Sequence, residues 1–274
     1  MGLGEIYNYL FVELSLSYTR EWPLIPSPLP LMLIILGYLY FVLYAGPRYM
    51  KDRPPYDLKT FILFYNVIEI LANIWFVKEH ISAGWFKEFS LVFVTCRARN
   101  AMGLDPIKIF NMIWWLMFLK LFDFVETCVF VLRKKQNQVS ALHVYHHISN
   151  VIFTWHYLKY ILDERLTIVT LINCAVHIIM YIYYFMAAWS PRLQQTLFPI
   201  KPYITKLQMV QFIFLVVILS NGFLDATLSF NCEIGSTILR IAPIFIGNLF
   251  IFLYLFYNFY KKSYTKKLHK KKSN

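Results

Sequence analysis

The sequence predicts an all-α membrane protein, and three observations support that prediction. Hydrophobic residues make up 58% of the chain and charged residues only 15%, whereas soluble domains are about 25% charged. Apolar stretches of about 20 residues, long enough to cross a bilayer as helices, recur along the chain. Charged residues, proline and glycine separate these stretches. Together these features indicate a polytopic membrane protein rather than a soluble domain.

The apolar stretches predict seven membrane-spanning helices. The fourth span has a polar beginning, because Gln138 and three histidines occur there. We place the spans at approximately 29–46, 58–78, 109–132, 139–158, 166–189, 205–225 and 238–260. The chain is therefore expected to form one polytopic domain over 1–274, with a lumenal segment 1–28, seven spans within 29–260 and a basic cytosolic tail at 261–274.

Lysine and arginine are distributed unevenly between the two sides of the predicted membrane. Arg133, Lys134 and Lys135 fall on the same side as seven lysines after Tyr260. Because cytosolic loops are enriched in these residues, we expect a cytosolic C-terminus and a lumenal N-terminus. The net charge of +12 is then mostly a topology signal, with anionic lipid headgroups or substrate phosphates as secondary partners. We expect no nucleic-acid partner, because the chain has no predicted soluble domain.

The last residues of the chain resemble a targeting signal. Lys271 and Lys272 precede Ser273-Asn274 and resemble the dilysine retrieval signal of endoplasmic reticulum membrane proteins. Receptors read such signals, so the signal has to be exposed at a terminus. We therefore predict a multi-pass protein of the endoplasmic reticulum membrane.

Three histidines at the start of the fourth span form the most informative pattern. His143, His146 and His147 stand at i, i+3 and i+4, and they share one helical face. Imidazole groups inside a bilayer cost free energy unless they face polar partners, so the cluster predicts a functional site. Structural histidines with satisfied hydrogen bonds are the alternative.

Polar residues also recur at helical spacing in three other spans. On the third span a cation and two acids, Lys120, Asp123 and Glu126, share one face. The other members lie on the fifth and sixth spans and are Asn173, His177, Tyr181, Tyr184, Thr205, Gln208 and Gln211. Such groups have to pair with one another or with a polar ligand, and polar contacts that hold helices together are the alternative reading.

Several kinds of chemistry could use this polar interior. A metal-dependent lipid desaturase or hydroxylase would need about eight histidines to hold two metal ions, whereas the chain has 7 in all. We therefore expect no metal. A neutral imidazole can instead attack a thioester, with a second histidine or a carboxylate handling protons. Cys174 is a rival nucleophile without a cationic neighbour in sequence, and a seven-span receptor or transporter is a further alternative.

Four motifs in order resemble the very-long-chain fatty acid elongases, the ELO-type 3-ketoacyl-CoA synthases. The histidine box is Gln138-Val-Ser-Ala-Leu-His143-Val-Tyr-His146-His147. The other motifs occupy 120–127, 173–184 and 205–211, and the first of these is followed by basic residues 133–135. The chain departs from the family pattern where Asp123 and Glu126 exchange acid types and where Ala141 replaces phenylalanine.

The resemblance implies a condensing enzyme that joins a long-chain acyl-CoA to malonyl-CoA and releases CO2, CoA and a 3-ketoacyl-CoA. It also implies that the last six helices form an inverted barrel around a closed acyl tunnel. By similarity, His146 is the acyl-accepting nucleophile and His177 its partner, while His143 and His147 orient the site or assist decarboxylation. The residues expected to bind substrate are Lys120, Asp123, Glu126, Arg133, Lys134, Lys135, Gln138, Asn173, Tyr181, Tyr184, Thr205, Gln208 and Gln211.

The expected partners follow from the same resemblance. Acyl-CoA and malonyl-CoA are substrates, so no separate cofactor is expected. Membrane lipid surrounds the spans, while a homodimer and contacts with other enzymes of the elongation cycle stay open.

We predict a disulfide between Cys96 and Cys232, and two free cysteines in the loops are the alternative. Both cysteines fall in predicted lumenal loops, whereas Cys128 and Cys174 fall within spans, and the lumen permits disulfides. The bond would close a loop of about 135 residues and contribute about 3 to 5 kcal/mol in the chain-entropy model. Non-reducing peptide mapping should recover the two peptides linked, and recovery of both as free thiols would rule the bond out.

Overall fold

A computed structural model describes residues 2–87, 103–228 and 235–265, and the regular secondary structure in these ranges is entirely helical. The helices are α1 (Leu3–Asn8), α2 (Leu29–Tyr40), α3 (Gly46–Met50), α4 (Lys59–Ser82), α5 (Pro106–Phe122), α6 (Phe124–Leu132), α7 (Ala141–Tyr160), α8 (Ile168–Trp189), α9 (Pro191–Leu197), α10 (Lys201–Leu228) and α11 (Gly235–Tyr260). The predicted all-α class is confirmed for these residues. Cys96, Cys232, Lys271 and Lys272 lie outside the described residues, so the disulfide and the retrieval signal stay predictions.

Within the described residues, five helical stretches are long and apolar enough to cross a membrane. They are Leu29–Met50, Lys59–Ser82, Glu164–Trp189, Pro191–Asp225 and Ile241–Tyr264. These stretches correspond to the first, second, fifth, sixth and seventh predicted spans. Short π-helical turns at Phe41–Ala45 and Lys261–Thr265 extend α2 and α11 without interrupting the helical path.

The third and fourth predicted spans are not among those five stretches, and polar residues account for the difference. The helix predicted over 109–132 is divided, because α5 ends at Phe122 and α6 begins at Phe124. Asp123 stands at this break, and α5 alone has 17 residues. α7 has 20 residues, but its histidines make its first half polar.

The helices group into two compact units. The first unit comprises Met1–Leu58 and Phe110–Leu162, and it contains α1 to α3, most of α5, α6 and α7. The second unit comprises Lys59–Ile109 and Asp163–Asn274, and it contains α4, the first turn of α5 and α8 to α11. The histidine cluster therefore belongs to the first unit and His177 to the second.

In the first unit, close packing and helix caps hold α6 and the start of α7 in place. α3 approaches α6 at Gly46, where a Cβ atom would lie only 2.7 Å from Cγ1 of Val131. Lys134 adopts the left-handed conformation, with φ of 54°, and the Lys135 N–H donates to the Phe130 carbonyl at 2.8 Å. This geometry ends α6 in a Schellman-type turn. Ser140 then caps α7 by accepting from the His143 N–H at 3.2 Å.

In the second unit, α4 packs along α8 and the contact includes buried hydrogen bonds. His80 is fully buried, and its Nε2 lies 2.8 Å from Oγ1 of Thr170. Trp85 donates from Nε1 to Oγ1 of Thr167 at 3.1 Å. These bonds satisfy polar side chains that would otherwise be costly to bury. His80 therefore has a structural role in the pairing of α4 with α8.

Residues 14–28, which we term the N-terminal strap, lie across the ends of α5 and α7 within the first unit. Lys159 on α7 is fully buried and donates to the carbonyls of Ile25 and Pro26, both at 3.0 Å. Trp155 donates to the Leu24 carbonyl at 2.8 Å. Because the strap has little regular structure, these side chains supply the hydrogen bonds that its buried carbonyls require.

We expect Lys159→Met to release the N-terminal strap while leaving the helices folded. Methionine preserves the apolar stem but leaves two carbonyls without donors, and each buried unsatisfied group costs about 1 to 3 kcal/mol. Limited proteolysis in detergent should then cleave within 14–28 faster than in the wild type. Lys78→Met, which removes an exposed lysine from α4, is the matched control. Equal cleavage rates for both variants would contradict the anchoring role of Lys159.

Candidate active site

A buried ion pair forms the base of the histidine cluster. Lys120 and Asp123 lie one helical turn apart, and Nζ is 3.2 Å from Oδ2. Their side chains are only 4% and 0% exposed. Oδ2 of Asp123 also lies 3.9 Å from Nδ1 of His147. The positive charge of Lys120 therefore neutralises the negative charge of Asp123. Glu126 is the second carboxylate of the first motif that lies beside the histidines.

His143, His147 and Glu126 converge on one point between α6 and α7. The Nε2 atoms of His143 and His147 are 3.1 Å apart, within hydrogen-bonding distance. Oε2 of Glu126 lies 3.9 Å from Nε2 of His143 and 3.7 Å from Nε2 of His147. These separations are too long for direct hydrogen bonds but short enough for strong electrostatic coupling. Three groups that can exchange protons thus share one small volume.

His146 has a different hydrogen-bond environment from its two neighbours. It is partly exposed, whereas His147 is buried. The side-chain amide nitrogen of Asn150, one turn further along α7, lies 3.1 Å from Nε2 of His146. An amide donor at a ring nitrogen favours the tautomer that carries its proton on the other nitrogen. The nucleophile proposed from the sequence therefore has its own orienting group.

Two residues of this site, Asn150 and Tyr38, were missed by the sequence patterns, whereas Thr127 shares the predicted polar face of the third span. Asn150 stands four residues after His146, so helical spacing could have identified it. Thr127 lies on the polar face of 120–127, and its Oγ1 is 3.0 Å from Nε2 of His143. Tyr38 donates from its hydroxyl to Oγ1 of Thr127 at 2.9 Å. Tyr38 lies in an apolar span, and nothing in its local sequence indicates this contact.

The same cluster offers a set of possible metal ligands. One ligand atom each from Glu126, His143 and His147 lies within 4.8 Å of the other two. Two imidazoles and one carboxylate are ligands that both zinc and non-haem iron use. In the structure these ring nitrogens instead hydrogen-bond to each other and to Thr127. The expectation that the protein binds no metal stays a prediction.

The second unit carries the other predicted histidine and its aromatic surroundings. His177 is 4% exposed, and its ring meets that of Tyr181 edge to face with centroids 5.7 Å apart. Tyr184 continues the stripe at 6.1 Å from Tyr181. Gln208 on α10 donates from its amide to Sδ of Met180 at 3.3 Å. Aromatic packing therefore fixes the His177 ring on α8.

The remaining candidates of the second unit differ in exposure. Gln211 is buried and Asn173 is half-buried. Thr205 is also buried, and its Oγ1 lies 3.4 Å from the carbonyl of Lys201. Cys174, the rival nucleophile, is a fully buried cysteine that forms no disulfide.

The basic residues and Gln138 occupy the turn between α6 and α7. Arg133 is half-buried, whereas Lys134, Lys135 and Gln138 are exposed. The left-handed conformation of Lys134 reverses the chain here, and its Nζ donates to the carbonyl of Lys51 at 3.1 Å. The turn leads directly into the capped start of α7. It therefore places positive charge in the turn that precedes α7 and His143.

We expect single substitutions of the Lys120–Asp123 pair to be far more costly than the double substitution. Lys120→Met and Asp123→Asn each leave a buried charge unpaired, which costs about 3 to 5 kcal/mol. The double variant removes both charges, so its free energy of unfolding should lie much closer to that of the wild type. Denaturant unfolding in detergent would measure all three.

A partly exposed ion pair supplies the control for that experiment. Lys108 and Glu79 are 3.2 Å apart, with side chains 38% and 18% exposed. Lys108→Met and Glu79→Gln should each cost about 1 kcal/mol or less. If the Lys120 and Asp123 effects simply added in the double variant, the buried-pair explanation would be wrong.

Comparison with known proteins identifies the family. The GNS1/SUR4 (ELO) family profile matches residues 23–272. Very long chain fatty acid elongase 7 of Drosophila melanogaster is 34% identical over 258 residues, covering 93% of this chain and 75% of the relative. Very long chain fatty acid elongase 4 of Mus musculus is 31% identical over 261 residues, covering 95% and 80%. Elongase 7 of Rattus norvegicus is 32% identical over 251 residues, covering 90% and 85%. The resemblance predicted from four motifs is confirmed, and the chain belongs to the GNS1/SUR4 (ELO) family.

Proposed function

We propose that the protein condenses a long-chain acyl-CoA with malonyl-CoA through an acyl-histidine intermediate. Family membership makes the protein a fatty acid elongase, and hence an acyltransferase of lipid metabolism. The single observation that best supports the covalent route is the convergence of His143, His147 and Glu126 beside His146. A nucleophilic imidazole needs neighbouring groups that hold and move protons, and this cluster supplies them.

The first half of the reaction transfers the acyl group. The unprotonated ring nitrogen of His146 attacks the thioester carbonyl, the carbon–sulfur bond breaks, and CoA leaves as the thiolate. The imidazole N–H proton passes to the surrounding groups and then to the thiolate, leaving a neutral acyl-imidazole and free CoA. The Asn150 amide donates to Nε2 of His146 and keeps that nitrogen unprotonated, and it has to release the Nε2 lone pair before the attack.

The second half forms the new carbon–carbon bond. Malonyl-CoA loses CO2, and the resulting enolate carbon attacks the acyl-imidazole carbonyl. His146 departs as the imidazolate and requires one proton to return to its starting state. Overall, acyl-CoA, malonyl-CoA and one proton give 3-ketoacyl-CoA, CO2 and CoA. The cycle therefore needs a proton path at His146, and His143, His147 and Glu126 are the groups we propose for it.

The other predicted residues fit binding roles in this scheme. Arg133, Lys134 and Lys135 carry positive charge at the start of α7 and would hold CoA phosphates. We assign His177 as the second catalytic histidine by family resemblance, and its tightly packed ring supports a positioned role. The side-chain amides of Asn173, Gln208 and Gln211 would position substrate or stabilise enolate charge.

The membrane arrangement we propose has seven spans. Two further spans, α5 with α6 and α7, would join the five apolar stretches, with the last six spans arranged as an inverted barrel around an acyl tunnel. The polar parts of these two spans would then face the reacting thioester rather than lipid. The basic C-terminal tail supports a cytosolic C-terminus, a lumenal N-terminus and residence in the endoplasmic reticulum. A homodimer and contacts with other elongation enzymes would be compatible with this arrangement.

A metal-dependent lipid desaturase or hydroxylase is the second candidate, because Glu126, His143 and His147 could hold a metal ion. Metal analysis of the purified protein separates the two candidates, since oxidation of a lipid chain requires stoichiometric iron. A receptor or transporter would show specific ligand binding or flux without forming 3-ketoacyl-CoA. Incubation with malonyl-CoA and a panel of acyl-CoAs, with measurement of CO2 and 3-ketoacyl-CoA, tests the main proposal.

We expect His146→Ala to abolish acyl transfer while leaving the protein folded. Acyl-CoA alone should release CoA from the wild type and add one acyl mass to a peptide containing His146. The variant should form no adduct, and its condensation rate should fall at least about 1,000-fold, because a covalent nucleophile is lost. Rapid quenching and intact-mass analysis would measure the adduct.

His156→Ala provides the matched control on the same helix. His156 is half-buried near the opposite end of α7, where its ring contacts Tyr160 at 4.9 Å. We expect normal adduct formation in this variant. Initial rates of the wild type with both substrates should give parallel, ping-pong lines. Intersecting lines without an adduct would replace the covalent route with direct condensation in a ternary complex.

A further inference from the structure

We propose that Tyr38 in the first span is a positioning residue that fixes the proton arrangement of the histidine cluster through Thr127. The inference rests on the proposed function, in which His143 and His147 handle protons. Tyr38 lies in α2, far in sequence from the four elongase motifs. It does not belong to the polar stripes that the sequence indicates. Its contacts nevertheless connect the first span with α6 and, through α6, with α7.

The Tyr38 ring is held rigidly within the first unit. Its side chain is 6% exposed, and it stacks on Phe124 with ring centroids 4.1 Å apart and planes inclined by 15°. The stacked geometry directs the hydroxyl at Thr127, where it donates to Oγ1 at 2.9 Å. Thr127 is fully buried. The packed ring therefore holds the Tyr38 hydroxyl in place for this hydrogen bond.

The hydrogen bond from Tyr38 determines what Thr127 can do. Because Oγ1 of Thr127 accepts from Tyr38, its own proton is directed toward another acceptor. Nε2 of His143 lies 3.0 Å away and can accept it. His143 then carries its proton on Nδ1. The Tyr38 hydroxyl, which reaches His143 only through Thr127, thus favours one tautomer of the His143 ring.

The same arrangement constrains the contact between His143 and His147. Their Nε2 atoms lie 3.1 Å apart, and the accepting nitrogen of a neutral imidazole has only one lone pair. When Nε2 of His143 accepts from Thr127, a proton on Nε2 of His147 competes with the Thr127 hydroxyl for that lone pair. Tyr38 favours Thr127 as the donor, and without the Tyr38 hydrogen bond the Thr127 hydroxyl could rotate away from His143.

Substitutions along this chain test the inference. Tyr38→Phe keeps the stacked ring and removes only the hydroxyl, and Thr127→Val removes the next hydroxyl. We expect each to lower kcat roughly 10- to 100-fold, the usual effect of losing a group that orients a functional histidine. KM for acyl-CoA and malonyl-CoA should change little, since neither residue contacts substrate in the proposed scheme. Thr127→Ser, which restores a hydroxyl, should recover most of the activity.

The double variant and a control tyrosine distinguish positioning from simple packing. If Tyr38 acts through Thr127, kcat of Tyr38→Phe with Thr127→Val should be no lower than that of Thr127→Val alone. Tyr40→Phe removes a hydroxyl from a 62% exposed tyrosine of the same helix and should be neutral. If the kcat losses of the two single variants multiplied in the double variant, the inference would be overturned. So would a Tyr38→Phe variant with lowered thermal stability but normal kcat.

A readout without turnover separates this inference from the proposed function. In protein labelled with 15N-histidine, ring nitrogen shifts report which nitrogen carries the proton. Tyr38→Phe should change the shifts of His143 and His147, whereas Tyr40→Phe should leave them as in the wild type. Changed shifts in a protein that makes no 3-ketoacyl-CoA would reject the function but keep the positioning role. If the wild type is active and Tyr38→Phe leaves the shifts unchanged, the positioning role of Tyr38 would be rejected and the proposed function would stand.

Discussion

The buried ion pair between Lys120 and Asp123 is the constraint on which the organisation of the first unit depends. Two charges with almost no exposure are tolerated only because they are 3.2 Å apart and have further polar neighbours. Asp123 occupies the break between α5 and α6. The ion pair also leaves Glu126 as the carboxylate that faces His143 and His147. Stability and the proton chemistry of the site therefore share one pair of side chains.

Hydrogen bonds to irregular backbone explain how this unit holds its remaining non-helical parts. The N-terminal strap has carbonyls that no helix ladder satisfies, and buried Lys159 donates to two of them. Lys134 ends α6 in a left-handed conformation, and Ser140 starts α7 with a side-chain cap. The Lys159 hydrogen bonds hold the strap at the far end of α7. The Lys134 conformation and the Ser140 cap position the basic turn before the histidines.

The helical class, five of the seven predicted spans and the shared face of the histidines agree with the structure, because these features depend on composition and on periodicity along one helix. The sequence did not predict the helix break at Asp123, because a polar residue inside an apolar run can mark either a functional site or the end of a helix. Asn150 could have been found from its i+4 spacing to His146. Tyr38 could not, because its role depends on a contact between segments 89 residues apart, and its neighbours in α2 are uniformly apolar.

The position of Tyr38 has a consequence for the role of the first span. A span used only as an anchor would need no polar contact with the site, and exposed apolar residues on α2 already suit it to lipid. The hydroxyl of Tyr38 instead reaches Thr127, while its ring packs on Phe124. Both partners belong to α6, the helix that also carries Glu126. A shift of the first span would therefore change the hydrogen bonding of His143 through Thr127, and the first span would contribute to positioning the catalytic site as well as to anchoring the protein in the membrane.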